Sequence, residues 1–247
     1  MPRHFIIAVV AVILAATASP ATAFPRHERA SAGVLASTAI PDDTEVYLVG
    51  DSITTMPDSW AYRWQQRICG TETTCLSNVH IGVAGGTGGC LTGPCSGHPP
   101  LVEEWDTAVL QADPKPTTVV VEIGTNDFFV PGVTVYTMAA AYQHLMFSGI
   151  DAGIRVILAT IPPTTTWWPW HDAHNPLRQS INSWLVNYFG DSNIFNIDSG
   201  LKIYGTADAD PYYYILSGGD PSKYDGLHPT PWGMVCIADW LDPARIV

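Results

Sequence analysis

The sequence predicts an α/β fold in which helices sandwich a central parallel sheet, and three observations carry that expectation. Short apolar, β-branched runs recur along the chain. Each is followed by a longer stretch with helical character, and strand then helix, repeated, is the pattern of a parallel sheet covered on both faces. Glycine and chemistry-bearing residues come directly after the runs, where ligand sites form in such sheets.

The elements follow in order. EVYLVG (45–50) is a short apolar run closed by glycine, and the polar segment from Ser59 to Cys69 reads as its helix. NVHIGVAG (78–85) is the second run; a glycine-rich loop and a helical stretch near 100–112 come after it. TTVVVEIG (117–124), GIRVILATI (153–161) and SNIFNID (192–198) are three further runs, with helical patterns near 133–151 and 175–189 between them and a last one near 231–241. Continuous apolar runs of this length suit strands buried on both faces. No internal repeat and no long low-complexity segment interrupts the alternation.

The first 23 residues stand outside it. Arg3 precedes an apolar run from Phe5 to Ala16 and small residues ending in Ala21-Thr22-Ala23. That order reads as a secretory signal peptide cut before Phe24, because the run is short for a bilayer and a cleavage site follows at once. Residues 24–43 lack a strong period and read as an exposed lead-in, and 44–247 as one domain. Without residues 1–23, the charge is 10 Lys and Arg against 23 Asp and Glu, or −13. So acidic a surface repels phosphate backbones and anionic headgroups, which argues against nucleic-acid partners, and no other stretch is apolar enough for stable membrane insertion. A secreted, extracellular monomer is expected.

Five cysteines occur: Cys69, Cys75, Cys90, Cys95 and Cys236. In an oxidising compartment they read as disulfides rather than metal ligands. Four cysteines allow three pairings, of which the nearest-neighbour one, Cys69–Cys75 with Cys90–Cys95, is preferred. Cys236 lies in an apolar stretch and reads as buried and inert.

The chemistry sits at the run ends. Gly50-Asp51-Ser52 puts a serine at the head of the sheet, although Asp and Ser also commonly cap helices there. GVAGGTGG lets a backbone N–H approach a ligand closely, and it lacks the spacing or lysine of a phosphate cradle. Gly124-Thr125-Asn126-Asp127 brings an amide side chain to the same edge. Near the end, Asp225 precedes His228 by three residues, and one turn would bring its carboxylate to the imidazole. A nucleophile, its base, an orienting carboxylate and preset donors form the set that acyl transfer needs.

In these four places the chain resembles the GDSL-type, or SGNH, esterases and lipases. Gly50-Asp51-Ser52, Gly85 in VAGGT, Gly124-Thr125-Asn126-Asp127 and Asp225-Gly226-Leu227-His228-Pro229 stand in that family's order and span residues 45–233. The first block runs GDSIT, and Gly86 stands where Asp or Asn often follows. The resemblance implies a three-layer α/β/α sandwich with a flavodoxin-like parallel sheet of about five strands. It implies Ser52 as nucleophile, His228 as general base and Asp225 as its partner. It implies an oxyanion hole made by the Ser52 N–H, the Gly85 N–H and the Asn126 amide, with no cofactor.

The predicted function is hydrolysis of carboxylic esters through an acyl-enzyme on Ser52, the substrate being a small-molecule, lipid or acylated-carbohydrate ester. The competing reading is an exported carbohydrate- or lipid-binding protein on the same fold with a vestigial triad. The G-x-S-x-G elbow of α/β-hydrolases is absent from the chain. TTTWWPWHDAH (164–174) follows the fourth run, so Trp167, Trp168 and Trp170 are candidate substrate contacts, or else local core. His171 and His174 share a helical spacing, but no cysteine or carboxylate set completes a metal site. The tyrosine-rich segment 210–224 is placed to shape the leaving-group side.

Overall fold

The computed structural model describes residues 40–203, 205–214 and 224–246. The expected signal peptide, nearly all of the lead-in, and residues 215–223 of the tyrosine-rich segment lie outside the described residues.

Five strands form one sheet: β1 (Val46–Gly50), β2 (Val79–Gly85), β3 (Thr118–Glu122), β4 (Arg155–Ala159) and β5 (Ile194–Phe195). Their order is β2-β1-β3-β4-β5, and every pairing is parallel. This is the flavodoxin-like order expected. After β1 the chain crosses to one side, and from β3 onward it builds on the other. The loops leaving β1 and β3 therefore diverge and open a crevice at the carboxyl edge.

The helices, in chain order, are α1 (Ser52–Thr55), α2 (Trp60–Cys69), α3 (Thr73–Ser77), α4 (Leu101–Trp105, continued by a π-helical turn over Asp106–Leu110), α5 (Val135–Asp151), α6 (His171–Phe189), α7 (Ile197–Leu201), α8 (Pro211–Tyr214) and α9 (Pro231–Trp240). They cover both faces of the sheet, and the two-residue period of the strands divides the core accordingly. Val46, Leu48, Val120 and Ile157 pack with Trp60 and Trp64 of α2 and Ile237 of α9. Tyr47, Val49, Val119, Val121 and Leu158 face the other way, toward Trp105, Met138, Tyr142, Leu145, Ile181 and Leu185.

Local chemistry sets the ends. Thr134 and Thr137 exchange side-chain and backbone hydrogen bonds (2.9 and 3.1 Å) in a capping box that starts α5. Thr230 caps α9, where Pro231 occupies the first turn without needing a hydrogen-bond partner. Two expectations change. β5 covers only Ile194–Phe195 of the apolar run, because the Asn196 side chain accepts from the Ser199 N–H (3.1 Å) and turns the chain into α7. α6 begins at His171, earlier than the expected 175, and holds Pro176 within it. Its first turn is tied down by side-chain bonds of His171 to Thr164 and Asn175.

The structure joins Cys69 to Cys75 and Cys90 to Cys95. Cys236 is free and half-buried, less enclosed than the sequence suggested. Burial still pushes its thiol up to about 11, so it stays protonated and unreactive near neutrality. Thiol titration of the unfolded, unreduced protein is expected to find one free group. A count of five would mean that neither bridge forms. Each short loop closure contributes about 2–3 kcal/mol on the chain-entropy account.

Candidate active site

Gly50 closes β1 so near β3 that a Cβ there would lie 2.0 Å from the Glu122 carbonyl oxygen, and only glycine fits. Asp51 then turns the chain: its carboxylate accepts from the Ile53 N–H at 3.0 Å and caps α1. Ser52, the first residue of α1, is thereby held at the strand's end. Its Oγ stands 2.8 Å from His228 Nε2. Its own N–H meets no acceptor among the described residues, as is usual in a helix's first turn.

His228 comes from the turn before α9. Asp225 Oδ1 accepts from the N–H groups of Leu227 and His228, both at 2.8 Å, which closes that turn. Asp225 Oδ2 meets His228 Nδ1 at 2.5 Å. One carboxylate thus both builds the turn and aims the imidazole, and this is the use of the three-residue spacing. Gly226 sits at φ 76°, a conformation that favours glycine. Its carbonyl accepts from the Thr165 N–H (2.9 Å) and hydroxyl (3.0 Å), so the turn is docked on the loop after β4. Beyond His228, Thr230 donates its N–H (2.8 Å) and hydroxyl (3.0 Å) to the Tyr213 carbonyl.

The charges agree with this geometry. Partial burial works to raise Asp225, but hydrogen bonds from the His228 ring and from the His228 and Leu227 backbone, with the imidazolium's charge, bring it down to about 2. Burial works to lower His228, yet the bond to Asp225 and the charges of Asp225 and Asp51 leave it raised above its ordinary value. With Asp225 ionised, the ring proton belongs on Nδ1, and the Nε2 lone pair faces the Ser52 hydroxyl.

The donor side is less uniform. Asn126 opens a 3-10 turn (Asn126–Phe129) after β3, and its Nδ2 donates to the Gly89 carbonyl at 3.0 Å. One of its two amide hydrogens remains without a partner among the described residues. Asp127 beside it is fully buried and receives the Leu91 N–H (2.7 Å), the Thr92 N–H (2.8 Å) and the Thr92 hydroxyl (2.6 Å). The loop closed by Cys90–Cys95 is therefore fastened to the end of β3. The Gly85 N–H instead donates to Glu104 Oε2 at 2.9 Å, and the Gly86 N–H to the Gly50 carbonyl at 2.8 Å. An oxyanion can take the Gly85 donor only when Glu104 withdraws.

The three tryptophans separate. Trp168 is buried and meets His174 and Phe129 edge-on, with centroids 5.3 and 6.4 Å apart. Trp170 is 52 % exposed and lies 5.8 Å from Phe129, itself 50 % exposed. Phe128 and Phe129 thus extend the tryptophan pair into an aromatic shelf. Their position directly after Asn126-Asp127 is the signal that sequence reasoning passed over. Trp167 packs instead against the α2/α9 side of the core, its Nε1 buried without a partner among the described residues.

His171 bonds Thr164 (2.9 Å) and Asp208 (3.0 Å), whereas His174 lies among Phe128 and Trp168. Burial, with the nearby Arg178 and His171 charges, lowers His174 to about 4. The two histidines do not converge, and no group of three or more His, Cys, Asp or Glu among the described residues could hold a metal ion. No described helix is long and apolar enough to cross a membrane.

A search of curated sequences finds no match. Among solved structures, the fold is similar to a GDSL-like lipase from Bacteroides thetaiotaomicron (TM-score 0.57, 17% identity, covering 84% of this chain and 90% of that one). It is also similar to a lipase/acylhydrolase from Enterococcus faecalis (0.55, 17%, 80% and 93%). A third is the psychrotrophic esterase EstA from a Pseudoalteromonas species (0.50, 18%, 81% and 94%). Identities this low speak for the fold alone. Residues 48–235 match the GDSL-like lipase/acylhydrolase family, a span that runs from β1 into α9 and takes in Ser52, Gly85, Asn126, Asp225 and His228. By that match the chain belongs to the GDSL-like lipase/acylhydrolase family.

Proposed function

We propose that this protein is an exported serine hydrolase that cleaves carboxylic esters through an acyl-enzyme on Ser52. The observation that carries the reading is the unbroken hydrogen-bond chain Ser52 Oγ to His228 Nε2 to Asp225, at 2.8 and 2.5 Å. His228 takes the hydroxyl proton as Ser52 Oγ bonds to the ester carbonyl carbon, and the carbonyl oxygen becomes an oxyanion. The Ser52 N–H and the spare Asn126 amide hydrogen are the donors for that charge, joined by the Gly85 N–H once Glu104 releases it. Collapse expels the alcohol, which receives the proton from His228. Water, deprotonated by the same imidazole, then frees the acid and restores Ser52. A binding protein would have no use for the base and its oriented partner, which is why the enzymatic reading is preferred.

The shelf of Phe129, Trp168 and Trp170 adjoins Asn126 through the 3-10 turn, and it is the surface offered to the non-reacting part of the substrate, whether acyl chain or sugar ring. The N-terminal sequence, with its short apolar run and A-x-A site, supports export. A fluorophosphonate probe is the direct test. It is expected to add one phosphonyl group, found by peptide mass at Ser52, and labelling elsewhere or none would end the proposal. p-Nitrophenyl esters of rising chain length, with acetylated xylan alongside, would sort the substrate classes.

Asp225→Asn tests the base. The new side chain still accepts the two backbone N–H groups, but it cannot hold the imidazolium or enforce the Nδ1–H tautomer. Asp225 raises His228, and activity needs His228 neutral, so the acid limb of kcat/KM is expected to move to lower pH. The Asp225 side chain is 51% exposed, so kcat should fall by about 10- to 100-fold rather than the roughly 10⁴-fold of a buried triad aspartate. An unmoved limb would remove Asp225 from the role.

A further inference from the structure

The base reaches Ser52 from a turn at the surface, where the Asp225 and His228 side chains are 51% and 27% exposed. Such a turn takes its position from whatever it leans on, and here that is the loop after β4. The Gly226 carbonyl accepts twice from Thr165, from its N–H at 2.9 Å and from its hydroxyl at 3.0 Å. Thr165 is buried, and the approach is tight. A Cβ on Gly226 would lie 2.2 Å from the Thr165 hydroxyl oxygen and 2.8 Å from Trp167 Nε1. The far side of the turn comes back to the same loop: Thr230 clasps the Tyr213 carbonyl, and the neighbouring Tyr214 hydroxyl donates to the Pro163 carbonyl at 2.5 Å.

The loop itself is a fixed post. Asn182 of α6 holds Ile161 by both backbone groups, accepting from its N–H and donating to its carbonyl, each at 2.8 Å. The Thr164 carbonyl accepts from the Ala209 N–H at 3.2 Å, and the Thr165 carbonyl from the Trp168 N–H at 3.0 Å. Ser52 is set separately, at the end of β1, where the Asp51 N–H donates to the Glu122 carbonyl of β3 at 3.2 Å. The gap between nucleophile and base is thus fixed by two strand ends of one sheet, and Thr165 is where the base is fastened to it.

We propose that Thr165 is a positioning residue for acyl transfer: its hydroxyl, seated on the Gly226 carbonyl, sets the reach of His228 to Ser52. The use of that reach in catalysis rests on the acyl-transfer reading above. Thr165 acts through Gly226 and the Asp225 turn, and it touches no reacting atom. Two donors from one residue fix the direction of a carbonyl as well as its distance, whereas a single bond leaves it free to swing. Thr230 makes a similar pair of bonds, but its hydroxyl also accepts from the Gly233 N–H at 3.2 Å and caps α9. Its loss would disturb helix and base together. The Thr165 hydroxyl has Gly226 as its one partner among the described residues, so its removal isolates the effect on the turn.

Thr165→Val keeps the shape and the N–H bond but puts a methyl group where the hydroxyl was. Carbon does not sit 3.0 Å from a carbonyl oxygen, since even favourable C–H···O contacts run to about 3.3–3.6 Å, so the turn must back away by roughly 0.3 Å. A misplacement of about 1 Å can cost about 100-fold in rate, and on that scale kcat is expected to fall about 3- to 10-fold. KM should not change, because the buried residue meets no substrate. Thr165→Ser restores the hydroxyl and should bring kcat back to the wild-type value. Thr165→Ala removes the hydroxyl without placing a methyl against the carbonyl; it should also be slow, and it serves if the valine variant does not fold. Crystal structures supply a readout that needs no turnover. The Ser52 Oγ to His228 Nε2 separation, 2.8 Å here, should lengthen without the hydroxyl and return in Thr165→Ser. If the separation or kcat per folded molecule stays at the wild-type value without the hydroxyl, Thr165 is a structural tie and the proposal is overturned. A serine variant as slow as the valine one would overturn it too. A wild type with no esterase activity would end the acyl-transfer reading, and the measured separation would still decide whether Thr165 sets the reach.

Discussion

Ser52→Ala is expected to abolish ester hydrolysis while leaving the protein folded. Loss of the nucleophile costs on the order of 10⁶ in kcat in the best-studied serine hydrolase. Among the described residues the side chain has one hydrogen-bond partner, His228 Nε2, and the imidazole side chain is 27% exposed, so water can replace the lost hydroxyl. The stability change should therefore stay within about 1 kcal/mol. Steady-state turnover of an activated ester, on protein free of host esterase and checked by circular dichroism, measures both halves. Wild-type-like turnover would remove Ser52, and with it the acyl-enzyme.

Asn126→Ala is expected to lower kcat by roughly 10²–10³-fold with little change in KM. The asymmetry follows from the proposed role: an amide serving the oxyanion would meet charge that exists only in the transition state, so substrate binding would not register its loss. The variant also loses the bond to the Gly89 carbonyl, a structural cost of about 1 kcal/mol. That cost appears in the denaturation midpoint and not in turnover per folded molecule. If kcat is unchanged while stability drops, Asn126 is a loop anchor and nothing more.

Much of the fold and site was legible because the signals are local. Each strand lies within an apolar run; Ser52 follows β1 by two residues, Gly85 ends β2 and Asn126 follows β3 by four. Asp225 and His228 find each other within a single turn. What escaped depends on chain distance or on local competition. Glu104 reaches Gly85 across 19 residues and Thr165 reaches Gly226 across 61, and only the assembled sheet brings those pairs together. β5 read too long because apolar content was weighed without the Asn196 cap, which diverts the chain before the run ends. Trp167, Trp168 and Trp170 read together as substrate contacts or local core, whereas the structure divides them: Trp167 packs on the core, and two phenylalanines from another loop join the others.

The Cys90–Cys95 bridge has a bearing on how this enzyme is handled. It closes the loop whose Leu91 and Thr92 amides grip Asp127, just after the Gly89 carbonyl that holds Asn126. The sheet itself lies outside that loop, although Leu91 joins one apolar layer, and the Asn126 amide is held by the Gly89 carbonyl beside it. Protein prepared in a reducing cytoplasm should therefore fold with a lower denaturation midpoint and turn over slowly, gaining rate when oxidant is added. Specific activity in such preparations becomes a gauge of thiol state, and enzyme from an oxidising compartment is the material on which kinetic constants mean something.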